Sequence, residues 1–159
     1  MLPLLWALTL CIGMLGVTAF AVADPVSATF QVNTAVSGEA PDTPETFTVE
    51  LRADKSWDPM PQGAEAGVYT LALKGADSAS VTVSFDRVGE YHYTLRQLPG
   101  NNPDCYLDPS VYRITVYVTS GGEEGLRISA SLTKEGLEEK QENAGFSNRY
   151  ACGATVTLG

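Results

Sequence analysis

One histidine, two cysteines beyond the N-terminal segment and a scatter of loop carboxylates are the groups in this sequence that could do chemistry. His92 could act as a general base, but that role needs an oriented nucleophile within reach. It is flanked by Tyr91 and Tyr93 and reads as a polar residue on the outer side of a strand. Asp104, Asp108, Glu123 and Glu124 offer the oxygen ligands that calcium takes, without the spacing of a calcium loop. Solvated carboxylates are the plainer reading. Two cysteines and one distant histidine do not complete a tetrahedral zinc site, and no glycine-rich phosphate cradle is present. No metal, cofactor or enzymatic activity is expected. Cys105 and Cys152 form an even set, and pairing them would close a long loop worth about 4 kcal/mol. Two unpaired buried thiols are the alternative.

The N-terminus points to export, where disulfides persist. Residues 1–23 carry no charged side chain and end in Ala21-Val22-Ala23 before Asp24, a small-x-small pattern cut by signal peptidase. Cleavage between Ala23 and Asp24 is expected. An uncleaved anchor is the competing reading, since about 20 apolar residues span a bilayer. All the charge then falls on residues 24–159, with a formal net charge of −9. Such a surface repels nucleic acid and anionic lipid. No nucleic-acid partner is expected, and membrane contact only through the N-terminal segment. The remaining length suits one domain with its own core.

The elements that must position these groups alternate with a period of two, the pattern of half-buried strands. In Gly89–Gln97, Tyr91, Tyr93 and Leu95 alternate with His92, Thr94 and Arg96. Glycine opens the run and Pro99-Gly100 comes after it, both turn-forming signals. Strands are also expected over 29–37, 46–51, 68–73, 80–85, 112–118, 126–132 and 145–150. The pair 112–118 and 126–132 reads as a hairpin around Gly121-Gly122-Glu123-Glu124-Gly125. Residues 134–143 are charged and read as a solvated loop. About seven to nine short strands without an amphipathic helix predict an all-β, Ig-like Greek-key antiparallel sandwich.

These pieces also resemble a known family. Val32–Gly38, Glu45–Leu51, the Pro59-Met60-Pro61 loop, Gly89–Leu95, Tyr106–Val118 and Phe146–Tyr150 succeed one another as in the pilin isopeptide-linkage domains. Those domains form the shell subunits of sortase-assembled pili on Gram-positive bacteria. The resemblance covers roughly Ala28 to Tyr150 and rests on order and spacing, not on any single piece. It implies an intramolecular isopeptide bond in which a first-strand Lys attacks the side-chain amide of a last-strand Asn. A buried Glu at the end of the Tyr-x-Tyr strand shuttles protons. Burial lowers a lysine pKa and so frees its amine; a protonated carboxyl polarises the amide.

Only one of these three positions keeps its residue. The Asn position is Asn148, whereas the Lys position falls on Thr34 and the Glu position on Gln97. The first strand holds no lysine at all. The bond is therefore expected to be absent, with Asn148 hydrogen-bonded in the core and a Cys105–Cys152 disulfide clamping the last strand instead. The chain ends in Thr155-Val156-Thr157-Leu158-Gly159, without the LPxTG-type signal of sortase substrates, so covalent pilus attachment is not expected. The resemblance thus implies a non-enzymatic, secreted or surface structural or adhesive protein, with other pilus or surface proteins as partners. The alternative is a secreted binding module for a host protein or glycan, with Trp57 and Tyr106 as candidate contacts.

Overall fold

The computed structural model describes residues 23–152, so most of the expected signal segment lies outside the described residues. Nine strands occur in chain order: β1 (Val26–Ser37), β2 (Thr46–Ala53), β3 (Val68–Lys74), β4 (Ser78–Phe85), β5 (Gly89–Gln97), β6 (Cys105–Tyr106), β7 (Val111–Ser120), β8 (Leu126–Lys134) and β9 (Asn143–Tyr150). They form two sheets, β4-β1-β9-β6 and β3-β2-β5-β7-β8. The inward residues of each sheet are the apolar members of the alternating runs. Val32, Leu51, Val83, Tyr93, Ile114 and Phe146 are all buried, and each such side chain stabilises the fold by roughly 1.5–3 kcal/mol. The expected sandwich is thus the observed architecture.

One ladder departs from the antiparallel expectation. β1 and β9, first and last in sequence, lie side by side and run parallel, with Val36 opposite Asn148; the other ladders among the described residues are antiparallel. Alternation encodes which face is buried, not strand direction. The chain therefore enters beside the β4–β5 turn, where Val26 faces Phe85, and leaves at the opposite end. The hairpin of β7 and β8 closes at Ser120–Leu126 over a 3-10 turn, Gly122–Glu124. Of the expected 134–143 loop, Lys134 belongs to β8 and Asn143 to β9; residues 135–142 form the loop, tied down by a bridge from Thr133 to Lys140.

The free edge of β9 is closed by side chains. β6 pairs only with Arg149 and Tyr150. Upstream, the Tyr112 hydroxyl of β7 crosses the interior, donates to the Gly145 carbonyl at 2.6 Å and accepts from the Gly145 N–H at 3.1 Å. The ring meets Phe146 edge-on at 5.4 Å. A hydroxyl thus takes the place of a neighbouring strand, sparing two backbone groups the cost of being unpaired. Tyr112→Phe is expected to cost about 2 kcal/mol in urea unfolding. A change within about 0.5 kcal/mol would show that the hydroxyl closes nothing.

Candidate functional site: an amide clamp on the last strand

Gln97 is the last residue of β5 and lies opposite Val49 of β2, on the inward face. Asn148 sits on the inward face of β9 and is 1% exposed. The two side-chain amides meet between the sheets. Gln97 Nε2 donates to Asn148 Oδ1 at 2.8 Å, and Asn148 Nδ2 donates back to Gln97 Oε1 at 3.0 Å. Asn148 Oδ1 also accepts the Asp108 N–H at 2.9 Å. Both polar atoms of a fully buried amide are therefore partnered, as burial requires.

Asp108 extends the clamp. Its Oδ2 accepts the Ser147 N–H at 2.8 Å, and its Oδ1 accepts the Ser110 N–H at 2.9 Å together with the Ser110 hydroxyl. The carboxylate fastens the β6–β7 loop to β9, so it is occupied as a structural acceptor. Burial pushes the carboxyl pKa up, but the Ser110 hydroxyl, the Ser147 and Ser110 N–H groups and the charge of Lys134 outweigh it. The net shift is downward. The Asp-Pro-Ser sequence signals the side-chain-capped turn onto Ser110, but nothing local signals the reach to Ser147.

Thr34 belongs to the same inward face but turns away from the amides. Its hydroxyl donates to the Gly75 carbonyl at 2.6 Å and accepts the Asp77 N–H at 3.2 Å. Its backbone lies opposite Phe146, two positions before Val36. The structure thus brings Gln97 and Asn148 into contact and places Thr34 one strand over, anchoring the β3–β4 turn. Lys134, at the end of β8, has its ammonium 5.9 Å from the centre of the Tyr112 ring.

The expected Cys105–Cys152 disulfide is not seen in the structure, where both cysteines are free. Cys105 faces Tyr150, and Cys152 lies two residues beyond, past the strand end and exposed. Burial, then the charge of Glu45, pushes the Cys105 thiol up, although Tyr150 hydrogen-bonds it. The end of β9 is held instead by the short β6 ladder and by Ala151 N–H donating to the Asp104 carbonyl at 2.8 Å.

The other candidates are dispersed. His92 is on the outer face of β5, with Nε2 2.9 Å from Glu90 and Nδ1 3.3 Å from the Thr115 hydroxyl. Glu124 pairs with Arg127. Among the described residues no group of three His, Cys, Asp or Glu side chains comes together to hold a metal. Trp57 and Tyr106 are exposed, the latter beneath the Arg149 guanidinium at 5.2 Å. At Ala23 and Asp24 the described residues begin.

Acid should loosen this arrangement. Glu50 of β2 is held below the usual carboxyl range by its hydrogen bond to Arg52, against burial and with help from Arg96. Both Glu50 and Asp108 have folded pKa values below the unfolded ones, so their stabilisation is present above about pH 4.5 and lost as pH falls through the folded values. Stability should fall on acidification from pH 5 toward about 3, and Asp108→Asn should reduce that fall while costing about 1–2 kcal/mol at neutral pH. Melting curves at each pH would check both. An Asp108→Asn curve parallel to wild type would contradict the assignment.

Comparison with known proteins gives this geometry its context. The profile of the FctA family, described as a Spy0128-like isopeptide containing domain, matches residues 29–151. No curated protein matches the sequence. Among solved structures, the Streptococcus pyogenes major pilin is similar at 17% identity and a TM-score of 0.54, over 77% of this chain and 50% of that one. The T3.2 major pilin of the same organism is similar at 16% identity and a TM-score of 0.56, over 81% of this chain and 55% of that one. At such identities the likeness is one of fold, and the chain spans about half the length of those pilins. With the family profile covering most of the sequence and the sandwich matching theirs, the chain belongs to the FctA family of Spy0128-like isopeptide-containing domains.

Proposed function

We propose that this chain is a non-enzymatic structural domain of an exported, surface-associated assembly of the pilus-shell type, with other pilus or surface subunits as its partners. Its last strand is held by the Gln97–Asn148 amide pair in place of an isopeptide bond. The observation that carries this reading is the reciprocal pair itself. It stands where the family resemblance implies a proton-shuttling Glu beside an Asn under attack. A glutamine amide has no proton to cycle near neutral pH, and the threonine hydroxyl at position 34 is committed to the β3–β4 turn.

The exchange is one of strength against chemistry. Two neutral hydrogen bonds contribute about 1 kcal/mol each, and the Asp108 N–H adds a third to the same oxygen. That is enough to fix the strand in a folded domain, though not to survive unfolding. Assembly is tested on intact cells: antibody against the chain should detect it at the surface, in species heavier than the monomer. A monomer found only in the medium would contradict the structural role.

A further inference from the structure

We propose that the cleft beside Trp57 is a carbohydrate-binding site. It opens at the end of the sandwich where the chain enters, between the β2–β3 loop and the β4–β5 turn. Its volume is about 540 Å³, within the range of small-ligand sites. Trp57 is 80% exposed and Val88 57% exposed, and both line the cleft. Two large apolar side chains exposed to water on the lining of one cleft mark it as a contact surface.

The polar lining narrows the ligand class. Arg87 is paired with Asp86, and Glu90 with His92. Lys55 and Asp58 line the same cleft, and among the described residues neither side chain is held in a hydrogen bond or ion pair. A bare ammonium, a bare carboxylate and an indole together suit a ring with hydroxyls at its edge and C–H groups on its face. A pyranose hydroxyl donates to Asp58, another accepts from Lys55, and the ring face covers Trp57. A wholly apolar ligand would strip water from both charges without replacing it. An anionic ligand would meet Asp58, Asp86 and Glu90.

Both walls are fixed in advance by the two tyrosines of β5. Tyr93 donates to the Pro59 carbonyl at 2.7 Å and Tyr91 to the Arg87 carbonyl at 3.0 Å. The Asp58 N–H closes a turn onto the Lys55 carbonyl at 3.0 Å. A prearranged site loses little freedom on binding.

The test is titration of the full chain with chitotetraose, maltotetraose and lacto-N-tetraose, monitored by amide shifts in NMR. At least one sugar should bind, with shifts gathered at residues 55–59 and 86–91. Trp57→Ala should weaken it by about tenfold or more with an unchanged melting point, since the ring is exposed. Tyr106→Ala, at the opposite end, should bind as wild type does. Binding by none of the three sugars would overturn the proposal, as would unweakened binding by Trp57→Ala or shifts centred elsewhere. So would an extended peptide filling the cleft where the sugars do not. Sugar binding neither requires nor excludes a shell-domain role, so the two can fail separately.

Discussion

Asn148→Ala should destabilise the domain by about 3 kcal/mol, lowering the melting midpoint by roughly 10 °C. The substitution removes the acceptor of the Gln97 amide and of the Asp108 N–H, and the donor to Gln97 Oε1. It does so at a residue shut off from water, so a cavity adds to the unpaired groups. Gln97→Ala is expected to cost less, about 1–1.5 kcal/mol, because Gln97 is half-buried at a strand end and water can replace its amide. The order of the two effects matters as much as their size. If Asn148→Ala falls within about 0.5 kcal/mol of Ser147→Ala, an exposed neighbour on the same strand, the clamp contributes nothing.

Gly38→Ala should be comparably severe, about 3–5 kcal/mol in denaturant unfolding. Gly38 comes directly after β1 with φ +80°, and a Cβ there would collide with the Tyr150 carbonyl oxygen. The backbone of β1 and the end of β9 approach so closely that no side chain fits. Relief would require β9 to shift where Tyr150 donates its hydroxyl to Glu45 at 2.9 Å. Gly63 separates the two causes: its φ is +90°, but a Cβ would meet nothing within 4 Å. Gly63→Ala should therefore show only the conformational penalty, about 1–2 kcal/mol. Equal losses at the two glycines would mean that the contact with Tyr150 is not what makes Gly38 necessary.

Much of the fold is legible from alternation alone. The β5 strand runs over the same Gly89–Gln97 that its pattern marks, because turn residues punctuate both ends. β1 begins earlier than expected, at Val26, since its first residues are ordered by pairing with β4, a partner that no local pattern reveals. β6, two residues long, has no room for a period. The parallel β1–β9 ladder is equally silent, because burial pattern carries no direction. At the site, Thr34, Gln97 and Asn148 can be placed by spacing within the family pattern. The reciprocal amide bond depends on two strand ends from different sheets meeting across the core. Asp108 shows the other limit: a carboxylate in a loop looks solvated until the loop folds back on β9.

The two cysteines mark a related limit. Their number and setting suggest a staple, but a disulfide also needs the Cβ atoms within a few ångströms, which residue types and counts do not encode. Cys105 faces Tyr150, and the work of a staple passes to hydrogen bonds along β9.

A last strand held only by hydrogen bonds and packing leaves the mass of the chain unaltered, so intact-mass measurement decides whether a covalent link joins its side chains. The purified protein and its Asn148→Ala variant would be measured after reduction, so that the state of the thiols does not enter. The wild-type mass should equal that of its polypeptide, and the variant should differ only by the substituted side chain. A wild-type deficit of about 17 Da, the ammonia lost when an amine displaces a side-chain amide, that disappears in Asn148→Ala would show that an isopeptide bond holds the strand after all.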